Sequence, residues 1–273
     1  MASSGNHHAQ ADPQLLSPLR RLRYALTPKW LYAHYRARRD LHRYEAEIHL
    51  LPFLVDPSRN AVDAGAHRGS YCYFLSRMCP EVYAYEPNPV MRDYLRRAIR
   101  SNVVVSDAGL SDQRGAAQFV VPDSTRGYRN TAGTLETEIY TGDAARFPVR
   151  ITRLDDEELE NVGFIKMDIE GHELRALKGA RRLLERDRPT MLIEVREELN
   201  GCPIEDALAE IEAYGYHAFA LKNRQLCAWR SLDMDFYRFK PHTPPPGHRI
   251  LNFIFFPNSP SCGSLFTVHD RAI

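Results

Sequence analysis

The stretch "VDAGAHRGSYCYFL", residues 62–75, decides how this chain is read. An apolar strand pattern runs into an acid, Asp63, then into Gly-Ala-His-Arg-Gly, then into helix-like spacing. A loop of that kind, at the carboxyl end of a strand in an open α/β sheet, holds a nucleotide or a nucleoside cofactor. Gly65 and Gly69 permit tight turning and close approach of backbone to a ligand. The pattern is not the dinucleotide fingerprint, because its glycines stand four apart and an acid ends the strand. Pyrophosphate prefers bare backbone amides at a helix N-terminus, and an acid placed there repels it. An acid instead suits a ligand that carries hydroxyls or a positive charge.

The next two strand-like runs extend this reading. "YAYEPN" ends in Glu86-Pro87, with Glu86 23 residues after Asp63. A carboxylate at that place can accept both hydrogen bonds of a ribose diol. "VVVSDAGLSD" carries Asp107-Ala108, and Asp107 is expected at an adenine amino group. Each acid alone also fits a helix cap or a solvated loop. Together they describe a ligand with an ammonium, a ribose and an adenine but no phosphate. S-adenosylmethionine fits that description and NAD fits it poorly.

Beyond Asn60 short apolar runs alternate with amphipathic stretches, the signature of a parallel sheet covered by helices. Strands are expected at 61–63, 82–86, 103–107, 164–169, 190–195, 216–221 and 250–256. Helices are expected at 70–78, 89–100, 173–185 and 204–214. Two segments break the alternation. Residues 122–146 are polar and rich in Gly and Thr, and Pro244 to Pro246 read as a stiff connector. The division expected is a disordered tail at 1–14, an Arg-rich helical extension at 15–55, a catalytic-type α/β domain at 56–258 and a C-terminal tail at 259–273.

Several motifs occur in one order: "VDAGAHRGSY", "YAYEPNP", "AGLSDQRG", "ITRLDDEEL", "GFIKMDIEGHELRALKGA" and "PTMLIEV". In these the chain resembles the class I S-adenosylmethionine-dependent methyltransferases, and more narrowly the FkbM family, over about residues 60–256. The run "IKMDIEGHE…LKGA" is its most specific part. His67 stands where the family usually has Asn, and Gly109 interrupts its usual Ala-Leu pair. The resemblance implies a Rossmann-like fold with a seven-stranded, mostly parallel sheet whose last strand is antiparallel. It implies S-adenosylmethionine as cofactor, held by Asp63, Gly65, Ala66, His67, Gly69, Glu86, Pro87, Asp107, Ala108 and Asp168. It also implies O-methylation, often of sugar or natural-product hydroxyls. N- or carboxyl-methylation on the same fold is the alternative, as is a binding module without turnover.

An alcohol is a poor nucleophile at neutral pH and wants a base, or a metal that lowers its pKa. "IKMDIEGHE" offers Asp168 at the strand end, with Glu170 and His172 at the mouth of the next helix, and "MLIEV" offers Glu194. Asp168, Glu194, His172 and Glu170 are the candidates for the reaction centre. The same residues also fit structural roles: Glu170 and Glu173 suit a helix dipole, His172 a cap, and Lys166 a pair with an acid. Mg²⁺ on Asp168 and Glu194 is the less favoured alternative, and no fixed metal-ligand set is present. Within 122–146, Arg126, Tyr128, Arg129, Asn130 and Thr131 suit a polyhydroxylated acceptor.

Composition narrows the partners. The net charge of +1 gives no global field for nucleic acid. From Ser17 to Tyr44, however, eight Lys and Arg stand against the single acid Asp40. That segment reads as a helical lid over the core, as a peripheral contact with an anionic membrane surface, or as an oligomerisation element. The five scattered cysteines form no CxxC pair, and free thiols in a cytoplasmic setting are expected.

Overall fold

The computed structural model describes residues 28–43, 46–122, 133–138, 144–222, 225–232, 234 and 252–258 of the chain. Helix α1 (Lys29–Arg43), a 3-10 turn (Ala46–Leu50) and α2 (Leu51–Leu54) come first. Then follow β1 (Asn60–Ala64), α3 (Ser70–Leu75), β2 (Val82–Tyr85), α4 (Pro89–Arg96) and β3 (Val103–Ser106). The short β4 (Gly109–Leu110) and the long pair β5 (Gly115–Pro122) and β6 (Ala144–Thr152) come next. The chain continues through β7 (Val162–Met167), α5 (Glu173–Lys178), α6 (Arg181–Asp187), β8 (Thr190–Glu194), α7 (Glu197–Asn200) and α8 (Ile204–Glu212). Strands β9 (Tyr216–Lys222), β10 (Gln225–Ala228) and β11 (Asn252–Pro257) end it.

The main sheet has the order β10-β9-β11-β8-β7-β1-β2-β3. Strands β3, β2, β1, β7 and β8 are parallel, while β11 runs antiparallel to both β8 and β9. The chain leaves β1 for β2 on one side and reaches β7 on the other. That switch point opens a crevice at the carboxyl ends of the strands. The fold class is the one expected, with one strand more than seven. The eighth, β10, folds back on β9 as an edge hairpin, pairing Leu226 with Leu221. Its four residues, QLCA, carry too little pattern to announce a strand.

Side-chain alternation divides the core between the two faces of the sheet. Val62, Ile165, Met167, Ile193 and Phe253 pack toward α5, α6 and α8. Ala61, Phe164, Leu192 and Ile254 pack toward the 3-10 turn, α2 and α3. A second, three-stranded sheet of order β4-β6-β5 carries its own small core of Phe119, Val121, Val149 and Ile151. The polar stretch 122–146 is therefore shorter than the sequence suggested. Strand β5 runs to Pro122, β6 starts at Ala144, and Thr134 bridges to Val120.

The helix expected at 173–185 is two helices, and Asp155 is the reason. The Asp155 amide donates to the Gly179 carbonyl at 2.9 Å, taking the acceptor that a continuous helix would use. Its carboxylate then caps α6 by accepting from the amides of Arg182 at 3.0 Å and Leu183 at 2.9 Å. Gly179 is also pressed against the residue after β4, since a Cβ there would lie 2.0 Å from the Ser111 carbonyl oxygen. Gly179→Ala is expected to lower the melting temperature by roughly 5–10 °C, the response to a loss of about 2–3 kcal/mol. A melt by circular dichroism checks this, and an unchanged midpoint would show that the junction yields freely.

Candidate active site

The crevice at the switch point is a cavity of about 380 Å³. That volume lies within the range of small-molecule sites. The β1–α3 loop, the end of β2, the end of β7, the small sheet and α1 all contribute to its lining.

The loop after β1 is built by close contact with β7. Gly65 has φ +79°, and a Cβ on it would fall 1.9 Å from the Asp168 carbonyl oxygen. Only glycine meets both conditions. The amides of Gly65 and Ala66 donate to the Tyr85 carbonyl at 3.0 and 3.1 Å, and that of Gly69 to Ala66 at 2.7 Å. Gly69, at φ +84°, starts α3 and does not line the cavity itself. His67 has φ 49°, in the left-handed region where Asn, Asp and His are enriched. This explains how His can occupy a place where the resembling family usually has Asn.

Glu86 is buried at the end of β2 and is fixed by both oxygens. One accepts the His67 amide at 2.7 Å, the other the Asn88 amide at 2.8 Å. Asn88 in turn caps α4 by accepting from Val90 at 3.0 Å, and Pro89 occupies the first helical position. The "EPNP" run thus holds a carboxylate at the cavity wall with lone pairs left for a diol. Burial raises the Glu86 carboxyl to about 7. Burial likewise raises Asp63 to about 6, although Cys72 donates its thiol to Asp63 at 2.9 Å.

The end of β7 carries the densest charge. Lys166 is 2% exposed, and its ammonium lies 3.6 Å from Asp168, 3.4 Å from the Asn252 side-chain oxygen and 5.2 Å from the centre of the Tyr71 ring. Asp168 keeps a third of its side chain exposed, at 33%. It shares a hydrogen bond with Glu194 on β8. Burial pushes the Asp168 carboxyl up, but Lys166, the Glu194 hydrogen bond and the His67 and Arg196 charges outweigh it and hold Asp168 below the usual carboxylate range. Glu194 goes the other way. Burial, then the Asp168 charge and the shared hydrogen bond, raise it far above its ordinary value. The pair is therefore asymmetric, with Asp168 held toward its ionised form and Glu194 toward its protonated form. Glu170 lines the cavity, meets Arg196 at 3.0 Å and is raised to about 7 by burial and the Asp168 charge.

The structure brings Asp63, Gly65, Ala66, His67, Glu86, Pro87, Ala108, Asp168 and Glu170 to the cavity. It does not bring Asp107, His172 or Glu194 into the lining, and Glu194 stands behind Asp168 on the neighbouring strand. Asp107 is exposed, is not part of the lining, and lies 3.5 Å from Arg150. His172 is buried, with Nδ1 at 2.6 Å from Glu136 and Nε2 at 2.9 Å from the Ser111 hydroxyl. Burial lowers its pKa below the ordinary histidine value despite Glu136. It ties the small sheet to α5 as a neutral ring. Arg126, Tyr128, Arg129, Asn130 and Thr131 lie outside the described residues; of their segment, Gly133 and Leu135 wall the cavity.

Sequence reasoning offered the segment that holds α1 as a lid over the core, among other readings, without singling out Arg36, Arg39 and Asp40, which join the lining. Lys166 was visible only as a pairing residue. Its place inside the apolar strand "GFIKMDI" is the signal, since lysine is almost never fully buried without a partner. Among the described residues no group of three His, Cys, Asp or Glu is placed to hold a metal ion. Nor does any described helix have the length and apolarity to cross a membrane.

Residues 63–218 match the family model described as the methyltransferase FkbM domain. The chain belongs to the FkbM methyltransferase family. Among curated relatives it is 27% identical over 152 residues to the protein named methyltransferase sdnD of Sordaria araneosa, covering 43% of this chain and 59% of that one. It is 28% identical over 153 residues to hexuronic acid methyltransferase AglP of Haloferax volcanii, covering 54% of this chain and 60% of that one. The chain thus spans about three-fifths of the length of these relatives. The crystal structure of methyltransferase FkbM from Methylobacillus flagellatus superposes with a TM-score of 0.50 at 20% identity, over 78% of this chain and 48% of that one, which supports the shared fold.

The raised Glu86 carboxyl has a consequence for stability. The folded chain keeps a proton there that the unfolded chain releases near the ordinary value of 4.5. The stabilisation is present below that pH and is lost as pH rises through about 7. In the ligand-free protein, Glu86→Gln is therefore expected to gain stability relative to the parent between about pH 5 and pH 8. Thermal melts at the two ends of that window measure it. A difference independent of pH would mean that the carboxyl titrates normally.

Proposed function

We propose that this chain is an S-adenosylmethionine-dependent O-methyltransferase acting on a hydroxyl of a sugar, glycan or natural-product acceptor. The observation that carries the reading is the asymmetric carboxyl pair at the end of β7 and β8. Asp168 is ionised and partly exposed to the cavity, beside a protonated Glu194 and the Lys166 ammonium.

The cavity fits the cofactor by the chemistry of its lining. Glu86 presents a fixed carboxylate for a ribose diol, Asp63 and Asp168 favour positive charge, and Ala108, Leu110, Phe119 and Leu135 offer an apolar wall for a purine. When bound, S-adenosylmethionine supplies an electrophilic methyl on a sulfonium. The chain must place the acceptor oxygen in line behind that methyl and take up its proton. Asp168 can receive the proton that the hydroxyl loses as the new carbon–oxygen bond forms. Glu194 donates its hydrogen bond to Asp168 and so fixes the direction of the free lone pairs. Lys166 keeps Asp168 ionised while it waits. A saccharide acceptor class is favoured by the relative named a hexuronic acid methyltransferase.

Asp168→Asn is expected to lower kcat by roughly 10²- to 10⁴-fold while the Kd for S-adenosylmethionine changes only a few-fold. Glu194→Gln keeps a neutral donor in the same place and should retain most activity. Transfer of labelled methyl across a panel of hydroxylated acceptors provides the assay. Full turnover by Asp168→Asn would remove the proposed base. A base-labile methyl ester as product would replace hydroxyl by carboxyl methylation.

A further inference from the structure

Helix α1 lies outside the stretch that matches the family, yet it closes one side of the cavity. It is anchored by specific polar contacts. The Ser70 hydroxyl, at the start of α3, donates to Asp40 at 2.6 Å, and His34 bonds the Tyr73 hydroxyl. Asp40 is buried, and it also receives Arg39 at 2.9 Å and Arg36 at 3.4 Å. Two guanidinium groups are thereby held over the β1–α3 loop. The Nε–H of Arg36 is buried there without a hydrogen-bond partner. A buried donor left unpaired is costly, and turning the guanidinium about an incoming anion would relieve the cost.

The rest of the lining leaves few places for an anion. The sheet side presents Asp63, Glu86, Asp168 and Glu170. The Lys166 ammonium is engaged with Asp168 and Asn252. The amides of Gly65, Ala66, His67 and Gly69 are already donated within the protein. A zwitterionic ligand can point its ammonium and hydroxyls at the acids, but its carboxylate needs the opposite wall.

We propose that Arg36 and Arg39 of α1 bind the carboxylate of the cofactor's amino-acid end, with Asp40 orienting both guanidiniums. This rests on the reading of the ligand as S-adenosylmethionine. Guanidinium suits the task because its planar fork matches a carboxylate with two donors at once. The α1 helix would then order the cofactor, and not only cover the core.

The test is calorimetric, on the full chain, with three ligands. S-adenosylmethionine carries the carboxylate, its decarboxylated analogue lacks only that group, and 5′-methylthioadenosine lacks the whole amino-acid end. The parent should prefer S-adenosylmethionine over the decarboxylated analogue by roughly ten- to a hundredfold, the worth of a charge-assisted hydrogen-bond pair. Arg36→Met and Arg39→Met should each erode that preference and leave methylthioadenosine binding unchanged. Unchanged methylthioadenosine affinity also shows that the variant is folded. Equal weakening of all three ligands, or a preference that survives both substitutions, would overturn the assignment. So would variants that bind S-adenosylmethionine normally but show a raised KM for an acidic acceptor. If the parent binds none of the three, the cofactor reading itself fails. Binding of all three without preference for the carboxylate sinks this inference alone.

Discussion

One buried ammonium governs the carboxyl edge of the main sheet. Lys166 lies inside β7, opposite Asp63 on β1 and Leu192 on β8 in the strand register. Its charge reaches the carboxyls of Glu47, Asp63, Asp168, Glu170 and Glu194. A lone cation in such a place is tolerated only with anionic partners. The acids crowded around Lys166 and Arg196 cannot all ionise, since each new negative charge raises the next carboxyl. The outcome is a division of states. Asp168, with Lys166 at 3.6 Å and a hydrogen bond from Glu194, stays charged. Glu194, half-buried beside Asp168, is pushed toward its protonated form. Such a split between neighbouring carboxyls distinguishes a base from its hydrogen-bonding support.

The second constraint is steric and binds the same two strands together. β1 and β7 approach so closely at their ends that residue 65 must be glycine against the Asp168 carbonyl. The contact fixes the loop after β1 relative to the strand that carries Asp168. Four of the loop's amides are engaged in holding its shape, two on Tyr85, one on Glu86 and one on Ala66. This differs from a phosphate-binding loop, in which free amides face the ligand. The consumed amides and the buried acids thus give the same answer about ligand charge by independent routes.

The parts of this site written in consecutive residues were legible in the sequence. The acid and glycines of 62–69, the Glu86-Pro87 pair and the "IKMDIEG" run all lie where strand ends were expected, because strand, turn and helix start are encoded locally there. What failed to transfer was direction. Asp107 and His172 occupy strand-end and helix-start positions like those of their neighbours. Their orientation is set by Arg150, 43 residues away from Asp107, and by Glu136 and Ser111, 36 and 61 residues away from His172. Asp40 is a similar case: its Ser70 contact spans 30 residues and decides which face of an Arg-rich helix turns inward. The small sheet escaped notice because its long strands flank a polar stretch and carry only partial burial.

The placement of α1 links stability to ligand in a way that neither constraint does alone. The helix presents Leu31 and Tyr35 at 43% and 59% exposure, so its outer face contributes little to the core. Among its described residues, Ala37 is buried and Leu41 packs on the core beside the polar contacts of Asp40 and His34. Its described contacts reach the start of α3, next to the loop that lines the cavity. A ligand that bonds both α1 and the β1 loop adds contacts across that seam, and mass action then favours the closed arrangement. The cavity wall formed by α1 would be reinforced by what it encloses, while the Gly65–Asp168 junction beneath it is fixed by covalent geometry and packing whether or not a ligand is bound.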